Sequence, residues 1–345
     1  MQLLLSAKCL LTAIENKKVL FITTKNLSYI RNTQEISLIK KYASQCDIIG
    51  SNHSSYFIRL SKVYYQILTA SIRAYDTVWI GFAPQLVLPL FRRKLCKSNL
   101  QVVEDFFISM YDTLCYDRKK IKKNSRLAHL LYKADKLTLS LADIVICDTH
   151  AHGQYFAETF LVNPEKIYTL YLQADTSIFH PMSCPRPDFL KNKFVILYFG
   201  SILPLQGADI VLEAMNILKK RTDFYFYFIG PMKDKKIAAS KPVSKNIEYF
   251  DWLSLEELAM YIHYSDLCLA GHFNSSIEKA KRTIPGKAYI YQAMDKPMIL
   301  GENPANHELF SNASTVSFVE MGNAQALADA IVQFHQQRLP SNSGA

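Results

Sequence analysis

Two series of short apolar segments, each alternating with stretches of helical periodicity, limit the fold of this chain more than any other feature. Most of the segments are rich in β-branched or aromatic residues. The first series occupies 17–23, 47–51, 76–82, 100–106, 142–148 and 166–172, and the second occupies 193–199, 224–230, 246–250, 267–271, 297–301 and 315–319. Continuously apolar strands separated by helices predict parallel sheets covered by helices on both faces. The chain is therefore predicted to be an α/β protein with two tandem doubly wound domains.

A segment without strand or helix periodicity separates the two series. Residues 174–192 contain three prolines, as an interdomain linker would. We predict a Rossmann-like N-terminal domain over 1–175, a linker over 176–192 and a Rossmann-like C-terminal domain over 193–345. Two such domains facing each other leave a cleft at the carboxyl ends of their strands, and ligands of these sheets bind at those ends.

The balance of charges indicates an anionic partner. The formal net charge is +10 at pH 7, with a sequence pI of about 9.1. Nucleic acid, a phosphorylated small molecule and an anionic lipid surface all fit that charge. Two basic clusters lie in the first half, at 91–97 and 117–136. The second cluster carries leucines at helical spacing and fits anionic headgroups or a solvated face over a core helix, and neither cluster has the interleaved aromatic residues expected for nucleic acid.

The cysteines indicate a reducing compartment, so we predict a cytoplasmic protein, with the basic clusters favouring the inner face of a membrane. Seven cysteines are scattered without a CxxC pair, which argues against a disulfide framework and against a zinc site. The spacing of His150 and His152 is also unsuited to metal ligation, so no metal is predicted. Residues 1–18 lack the order of basic and apolar residues of a signal peptide, and an amphipathic helix is predicted instead.

The glycines exclude two common nucleotide motifs. No GxGxxG occurs, and Gly286-Lys287 lacks the upstream glycine and the following Ser or Thr of a P-loop. The stretch Pro285-Gly286-Lys287 nevertheless opens a predicted helix with a cation at its positive end, where acids are usually favoured. A bound phosphate between the helix N–H groups and the lysine would explain that placement.

Four motifs of the second half follow in order the donor-binding half of GT-B glycosyltransferases, and the chain resembles the family-four type. They are FGSILPLQGADIVLEAMNIL (199–218), FIGPM (228–232), IEYFDWLSLEELAMYIHYSDLCLAG (247–271) and IPGKAYIYQAMDKPMILGENPANHELF (284–310). In the first half, ADIVICDTHAHGQYFAETFLVNPEKIYTL (142–170) and ADTSIFHP (174–181) are similar to the end of the acceptor domain. The resemblance implies transfer of a hexose from a nucleotide-sugar, which acts as co-substrate with no other cofactor. It also implies retention of stereochemistry and a glycan or lipid-linked acceptor, as in bacterial surface polysaccharide synthesis.

The same resemblance implies the residues of a donor site. They are Gly200, Ser201, Gln206, Gly207, Gly230, Pro285, Gly286, Lys287 and Glu308. Ser201 and Gln206 stand where many members carry Arg and Lys, and Arg282 and Ile290 stand in place of an acid pair. Lys287 is therefore predicted to be the main cation for the diphosphate and to act in catalysis. Gly200 and Gly207 also fit a plain strand-to-helix turn, and Glu308 also fits an ordinary acid on a helix surface.

Candidate residues of the first half lie near the ends of predicted strands. Asp105 ends a strand where many GT-B enzymes place a His or Asp facing the transferred sugar, so it is predicted to be catalytic; a solvated strand end is the alternative. Arg31, Asp112 and Arg118 are predicted to bind the acceptor, although Asp112 also suits a helix cap. Because of the departures in the donor loops, a non-catalytic relative that binds a nucleotide-sugar or glycan stays open, as does a basic nucleic-acid-binding protein.

Overall fold

All twelve apolar segments form parallel β-strands in the computed structural model, which describes residues 10–97, 99–232 and 235–338. The chain divides into two units, residues 1–173 and residues 174–345. Each unit has one six-stranded sheet with helices on both faces. The predicted α/β class with two Rossmann-like doubly wound domains is therefore confirmed.

The sheet of the first unit has the strand order β2-β1-β3-β4-β5-β6. Its strands are β1 (Lys18–Ile22), β2 (Gln45–Ile49), β3 (Thr77–Ile80), β4 (Gln101–Asp105), β5 (Ile144–Cys147) and β6 (Ile167–Thr169). Its helices are α1 (Ile30–Tyr42), α2 (Tyr56–Thr69), α3 (Leu88–Leu95), α4 (Arg126–Leu141) and α5 (His150–Phe160). A π-helical turn, Asp112–Asp117, precedes α4.

Both faces of this sheet are buried, which explains why its strands are continuously apolar. Along β3, Val78 and Ile80 pack with residues of α2, α3, α4 and α5, whereas Trp79 points to the other face and packs with α1. Because neighbouring residues of a strand alternate between faces, every position of such a strand must be apolar.

The second unit repeats this architecture with the strand order β12-β11-β10-β7-β8-β9. Its strands are β7 (Phe194–Phe199), β8 (Phe224–Ile229), β9 (Ile247–Phe250), β10 (Leu267–Gly271), β11 (Met298–Gly301) and β12 (Val316–Val319). Its helices are α6 (Ala208–Leu218), α7 (Lys235–Ala239), α8 (Leu255–Tyr264), α9 (Glu278–Arg282), α10 (Gly286–Ala293), α11 (Pro304–Phe310) and α12 (Ala324–Arg338). Helix α8 begins at a capping box in which Ser254 and Glu257 satisfy each other's backbone N–H groups.

The segment predicted as a linker packs against the second unit. Arg186 Nη2 lies 2.6 Å from Asp266 Oδ2, and Leu190 is fully buried. The domain bounds drawn from the sequence stay a prediction.

At the other end, part of the helix predicted over 1–18 falls in residues 1–9, outside the described residues, while Leu10 and Ile14 pack in the core of the first unit. Among the described residues, no helix is long and apolar enough to span a bilayer.

Candidate donor site and a buried ion pair

The carboxyl ends of β7 and β8 meet at two glycines. Gly200 follows β7 with φ of +145°, a conformation that L side chains rarely adopt. A Cβ placed on Gly230, which follows β8, would lie 2.3 Å from the Gly200 carbonyl oxygen. No side chain fits in that space, so the two strand ends approach each other through their backbones.

Gly207 brings the start of α6 against the loop that follows β10. It caps the helix with φ of +65°, and a Cβ on it would lie 2.7 Å from the Phe273 carbonyl carbon. Phe273 N–H donates to the Gln206 carbonyl over 3.2 Å, which fixes the same approach. The N-terminus of an eleven-residue helix therefore lies in the turn that Gly200 begins.

Lys287 is a buried amine that forms no ion pair with the described residues. It is the second residue of α10, after Pro285 at the cap, and its exposed fraction is 5%. Its Nζ lies 4.0 Å from the centroid of the Tyr198 ring and 3.4 Å from the position that a Gly200 Cβ would take. Among the described residues, no acceptor hydrogen bonds to Nζ. Burial lowers the pKa of Lys287 well below its ordinary value.

A bound anion would relieve that arrangement. Burying an ammonium without a partner is costly, and proteins retain such a group mainly where function requires it. Tyr198 supplies no charge to Lys287, because burial raises the pKa of its hydroxyl. The lysine, the glycine turn and the start of α10 together form a small, positively polarised site with the character that a phosphate group requires.

In the first unit, Arg31 and Asp105 form a buried ion pair. Both side chains have no exposed surface; Arg31 Nε lies 2.9 Å from Asp105 Oδ2, and Nη2 lies 3.1 Å from Oδ1. Arg31 Nη1 also donates to the Leu170 carbonyl. The pair joins the end of β4 to the start of α1.

Glu35 accompanies this pair as a third buried group. Its Oε1 lies 4.0 Å from Arg31 Nε and accepts a 3.1 Å hydrogen bond from Trp79 Nε1. Burial, followed by the charge of Asp105, raises the pKa of Glu35 well above its ordinary value. The Glu35 carboxyl therefore tends to hold its proton, and Asp105 carries the charge opposite Arg31.

The second unit matches a family model described as glycosyl transferases group 1, over residues 193–337. Solved structures of similar fold cover nearly the whole chain. Sucrose-phosphate synthase from Thermosynechococcus elongatus matches with a TM-score of 0.67 and 13% identity, over 92% of this chain and 90% of that one. HepE from Anabaena in complex with UDP matches with a TM-score of 0.63 and 12% identity, over 93% and 90%. The second unit is therefore similar to glycosyl transferases group 1, and the whole chain shares its fold with these solved structures.

A curated relative points the same way as the family model. A probable glycosyltransferase of Pseudomonas aeruginosa, WbjE, is 26% identical over 248 residues, which is 67% of this chain. The alignment spans 58% of the relative's own length.

The structure brings most of the predicted donor residues to one edge of the second sheet. Ser201 is exposed beside Gly200, and Gln206 is half-buried with an Oε1 that lacks a hydrogen-bond partner among the described residues. Glu308 is half-buried in α11, which begins at Pro304. The start of that helix is capped by Asn303 Oδ1, which accepts from Asn306 N–H over 2.8 Å.

The predicted acceptor-binding residues differ in exposure. Arg118 is exposed, with Nε 3.5 Å from Asp117 Oδ2, whereas Asp112 is 1% exposed in the π-helical turn. Arg31 and Asp105 have their polar atoms engaged with each other, so a substrate contacts either only after their contacts rearrange. The roles assigned to these four residues stay predictions.

Sequence reasoning missed the buried acids of the first unit. Glu104 is fully buried and neither carboxylate oxygen has a hydrogen-bond partner among the described residues; burial, followed by the charge of Asp135, raises its pKa well above the ordinary value. Asp135 accepts from Ser109 Oγ over 2.6 Å. The two acids at 104–105, next to the apolar residues of β4, were the available sign of this cluster.

One of the two histidines at the start of α5 has a structural explanation. His152 is fully buried, and its Nδ1 lies 2.6 Å from Asp148 Oδ1. Across 10–97, 99–232 and 235–338, no three His, Cys, Asp or Glu side chains come together as a metal site would require.

Proposed function

We propose that this protein transfers a sugar, of the hexose class, from a nucleotide-sugar donor to a glycan or lipid-linked acceptor. The observation that carries the proposal is the buried, unpaired amine of Lys287 directed at the Gly200 turn. One protein of similar fold, HepE from Anabaena, was solved with UDP and with UDP-glucose bound. A nucleoside diphosphate fits the Lys287 site because its phosphates would supply the negative charge that a buried amine requires.

Lys287 would serve the reaction as well as binding. Cleavage of a glycosyl phosphate bond leaves negative charge on the departing diphosphate, and a positioned cation stabilises that charge as it develops. Gly200 and Gly230 place no side chain between a phosphate and the backbone at this edge of the sheet, and the N-termini of α6 and α10 would add partial positive charge. Ser201 and Gln206 offer only neutral hydrogen bonds, so Lys287 is the principal cation in this proposal.

The remaining assignments extend the proposal to the acceptor. Asp105 would act near the transferred sugar once its contacts with Arg31 rearrange, and Arg118 and Asp112 would orient the acceptor. Retention of stereochemistry, a role in surface polysaccharide synthesis and a cytoplasmic location at the inner face of a membrane follow from the resemblance and from the exposed basic cluster at 117–136. These assignments stand or fall with measured transfer.

Calorimetric titration with a panel of nucleoside diphosphates tests the donor site. Lys287→Met keeps the aliphatic stem and removes the charge, so affinity for the preferred diphosphate should fall by about 10- to 150-fold, the range that corresponds to losing a charge-assisted hydrogen bond. Binding of the unphosphorylated nucleoside should not change. Lys220→Met, which removes an exposed lysine of the same unit, is the matched control. Undiminished diphosphate affinity in the Lys287→Met protein would reject the site.

A non-catalytic relative that binds a nucleotide-sugar is the second candidate. It is favoured by the neutral Ser201 and Gln206 and by the engagement of Asp105 with Arg31. Incubating the protein with the nucleotide-sugar that binds best, with and without acceptor glycans, separates the two functions. Release of nucleoside diphosphate supports the enzyme, whereas tight binding without any release supports the non-catalytic relative.

A further inference from the structure

We propose that the outer surface of α2 and α3 inserts into the headgroup region of an anionic lipid bilayer. This surface, the apolar-basic face, is defined by Phe57, Ile58, Tyr65 and Leu68 of α2 and by Leu90 of α3. The proposal deepens the proposed function and rests on it for its purpose, because a glycosyltransferase with a lipid-linked acceptor meets that acceptor at a bilayer.

Large apolar side chains are unusually exposed on this face. The exposed fraction is 81% for Phe57, 69% for Tyr65, 64% for Leu68 and 66% for Leu90. The residues of α2 that do pack inward are Arg59, Val63 and Ile67, so both sides of the helix carry apolar residues. A helix that only covers a core does not need large apolar residues on its outer side as well.

The two helices present these side chains side by side. Tyr64 of α2 and Phe91 of α3 have ring centroids 5.2 Å apart, and Lys94 Nζ of α3 donates to the Leu68 carbonyl over 2.6 Å. The inward residues of α2, α3 and α4 share one core cluster, so these three helices cover the same face of the sheet. Leu127 and Leu130 of α4, 49% and 61% exposed, extend the apolar surface.

The charges of the same segments select an anionic partner. Residues 48–75, 77–103 and 118–134, which contain α2, α3 and the first part of α4, hold fourteen Lys and Arg and no Asp or Glu. Lys62, Arg92 and Arg93 are exposed close to the apolar side chains. Lysine and arginine near a bilayer bind anionic headgroups while neighbouring apolar side chains enter the acyl boundary.

Other partners match this face less well. A second copy of the chain would bring two basic surfaces together, and like charges oppose that contact. Nucleic acid would use Phe57 and Tyr65 for stacking, but the other exposed apolar residues, Ile58, Leu68, Leu90, Leu127 and Leu130, are aliphatic and gain nothing from it. A bilayer uses the aliphatic residues and the basic residues at once.

Sedimentation of the full-length protein with lipid vesicles tests the proposal. One set of vesicles consists of phosphatidylcholine alone. The other contains about 30% phosphatidylglycerol, which supplies anionic headgroups. We expect binding to the anionic vesicles. The Phe57→Gln/Leu68→Gln double variant should bind them about tenfold more weakly, because two exposed side chains no longer enter the acyl boundary. Val243→Gln/Leu255→Gln, which changes two exposed apolar residues of the second unit, is the matched control and should bind as the wild type does.

A charge variant separates insertion from simple attraction. Replacing Lys119, Lys120, Lys122 and Lys123 by Gln should weaken binding mainly at low salt, whereas the Phe57→Gln/Leu68→Gln effect should persist at high salt. Equal vesicle binding by the wild type and the Phe57→Gln/Leu68→Gln variant would overturn the proposal. Retention of the wild type on DNA at physiological salt, without vesicle binding, would also overturn it.

The test does not depend on the donor site. Vesicle binding without nucleoside diphosphate binding would support the apolar-basic face and reject the proposed function. Diphosphate binding without vesicle binding would do the reverse.

Discussion

At the scale of single residues, Lys287 links the stability of the protein to its ligand. A buried amine without a partner costs folding free energy whenever it is protonated. Its pKa is lowered in the folded chain, so the unfolded chain binds more protons in the interval between the lowered pKa and about 10.5. This cost is absent above the ordinary pKa and is complete below the lowered one, so the contribution of Lys287 makes stability rise with pH in that window.

We therefore expect Lys287→Met to increase the stability of the free protein while it weakens ligand binding. Thermal unfolding of both proteins at several pH values checks this: the advantage of the variant should be largest at the low end of the window and shrink toward pH 10, since only the wild type titrates there. Addition of nucleoside diphosphate should raise the melting temperature of the wild type much more than that of the variant. A variant that is less stable at neutral pH would mean that Lys287 packs as a structural side chain.

At the scale of elements, the Arg31–Asp105 pair holds the end of β4 to the start of α1. Removing one partner of a buried pair leaves the other charge uncompensated, which typically costs 3–5 kcal/mol, about ten times more than an exposed pair contributes. Glu35, at 4.0 Å from Arg31, is the group able to replace part of the lost charge.

We expect Asp105→Asn to reduce the free energy of unfolding by roughly 3 kcal/mol. Ionisation of Glu35 beside Arg31 would make this loss smaller. Adding Arg31→Met should recover part of that loss, because the orphaned charge is removed with its partner. Urea unfolding of the two single variants and the double variant measures the coupling. If the double variant regains stability but its transfer rate stays low, Asp105 or Arg31 acts on a substrate; if both recover, the pair is structural.

The elements of the fold were predictable because a strand buried on both faces has to be apolar throughout, as in 193–199 and 224–230. The site was predictable where one local stretch carries it: Pro285-Gly286-Lys287 forms the start of α10 with the lysine next to the Gly200 turn. The Arg31–Asp105 pair was not, because its members are 74 residues apart and no local periodicity encodes such a contact. The helical spacing of the leucines predicted that α4 is a helix, but it did not indicate that Leu127 and Leu130 are exposed.

At the scale of the whole molecule, each unit has its own hydrophobic core. The second unit also includes the proline-containing segment, since Phe179 and Leu190 are buried and Arg186 pairs with Asp266. The absence of strand or helix periodicity therefore did not mean the absence of packing, because isolated apolar and charged residues of that segment find partners on neighbouring elements.

A chain of residues 174–345 is accordingly expected to unfold in one cooperative transition. A chain of residues 193–345 should melt roughly 6–24 °C lower, because it lacks a buried leucine and a buried phenylalanine, each contributing about 1.5–3 kcal/mol, and each kcal/mol shifts the melting temperature by about 2–4 °C. Calorimetric scans of both chains provide the comparison, with Leu190→Ala in the longer chain reproducing part of the drop. Equal melting temperatures would place the boundary at 193 and return 176–192 to the status of a linker.

The environments of the two tryptophans make the two units spectroscopically distinct. Trp79 of the first unit is fully buried and donates to Glu35, whereas Trp252 of the second unit is 69% exposed. Indole emission shifts to the red when a buried ring enters water and changes little for a ring already in water. The change in fluorescence on denaturation therefore comes mainly from Trp79. The fluorescence change therefore reports the unfolding of the first unit around Glu35, whereas unfolding of the second unit changes the fluorescence very little.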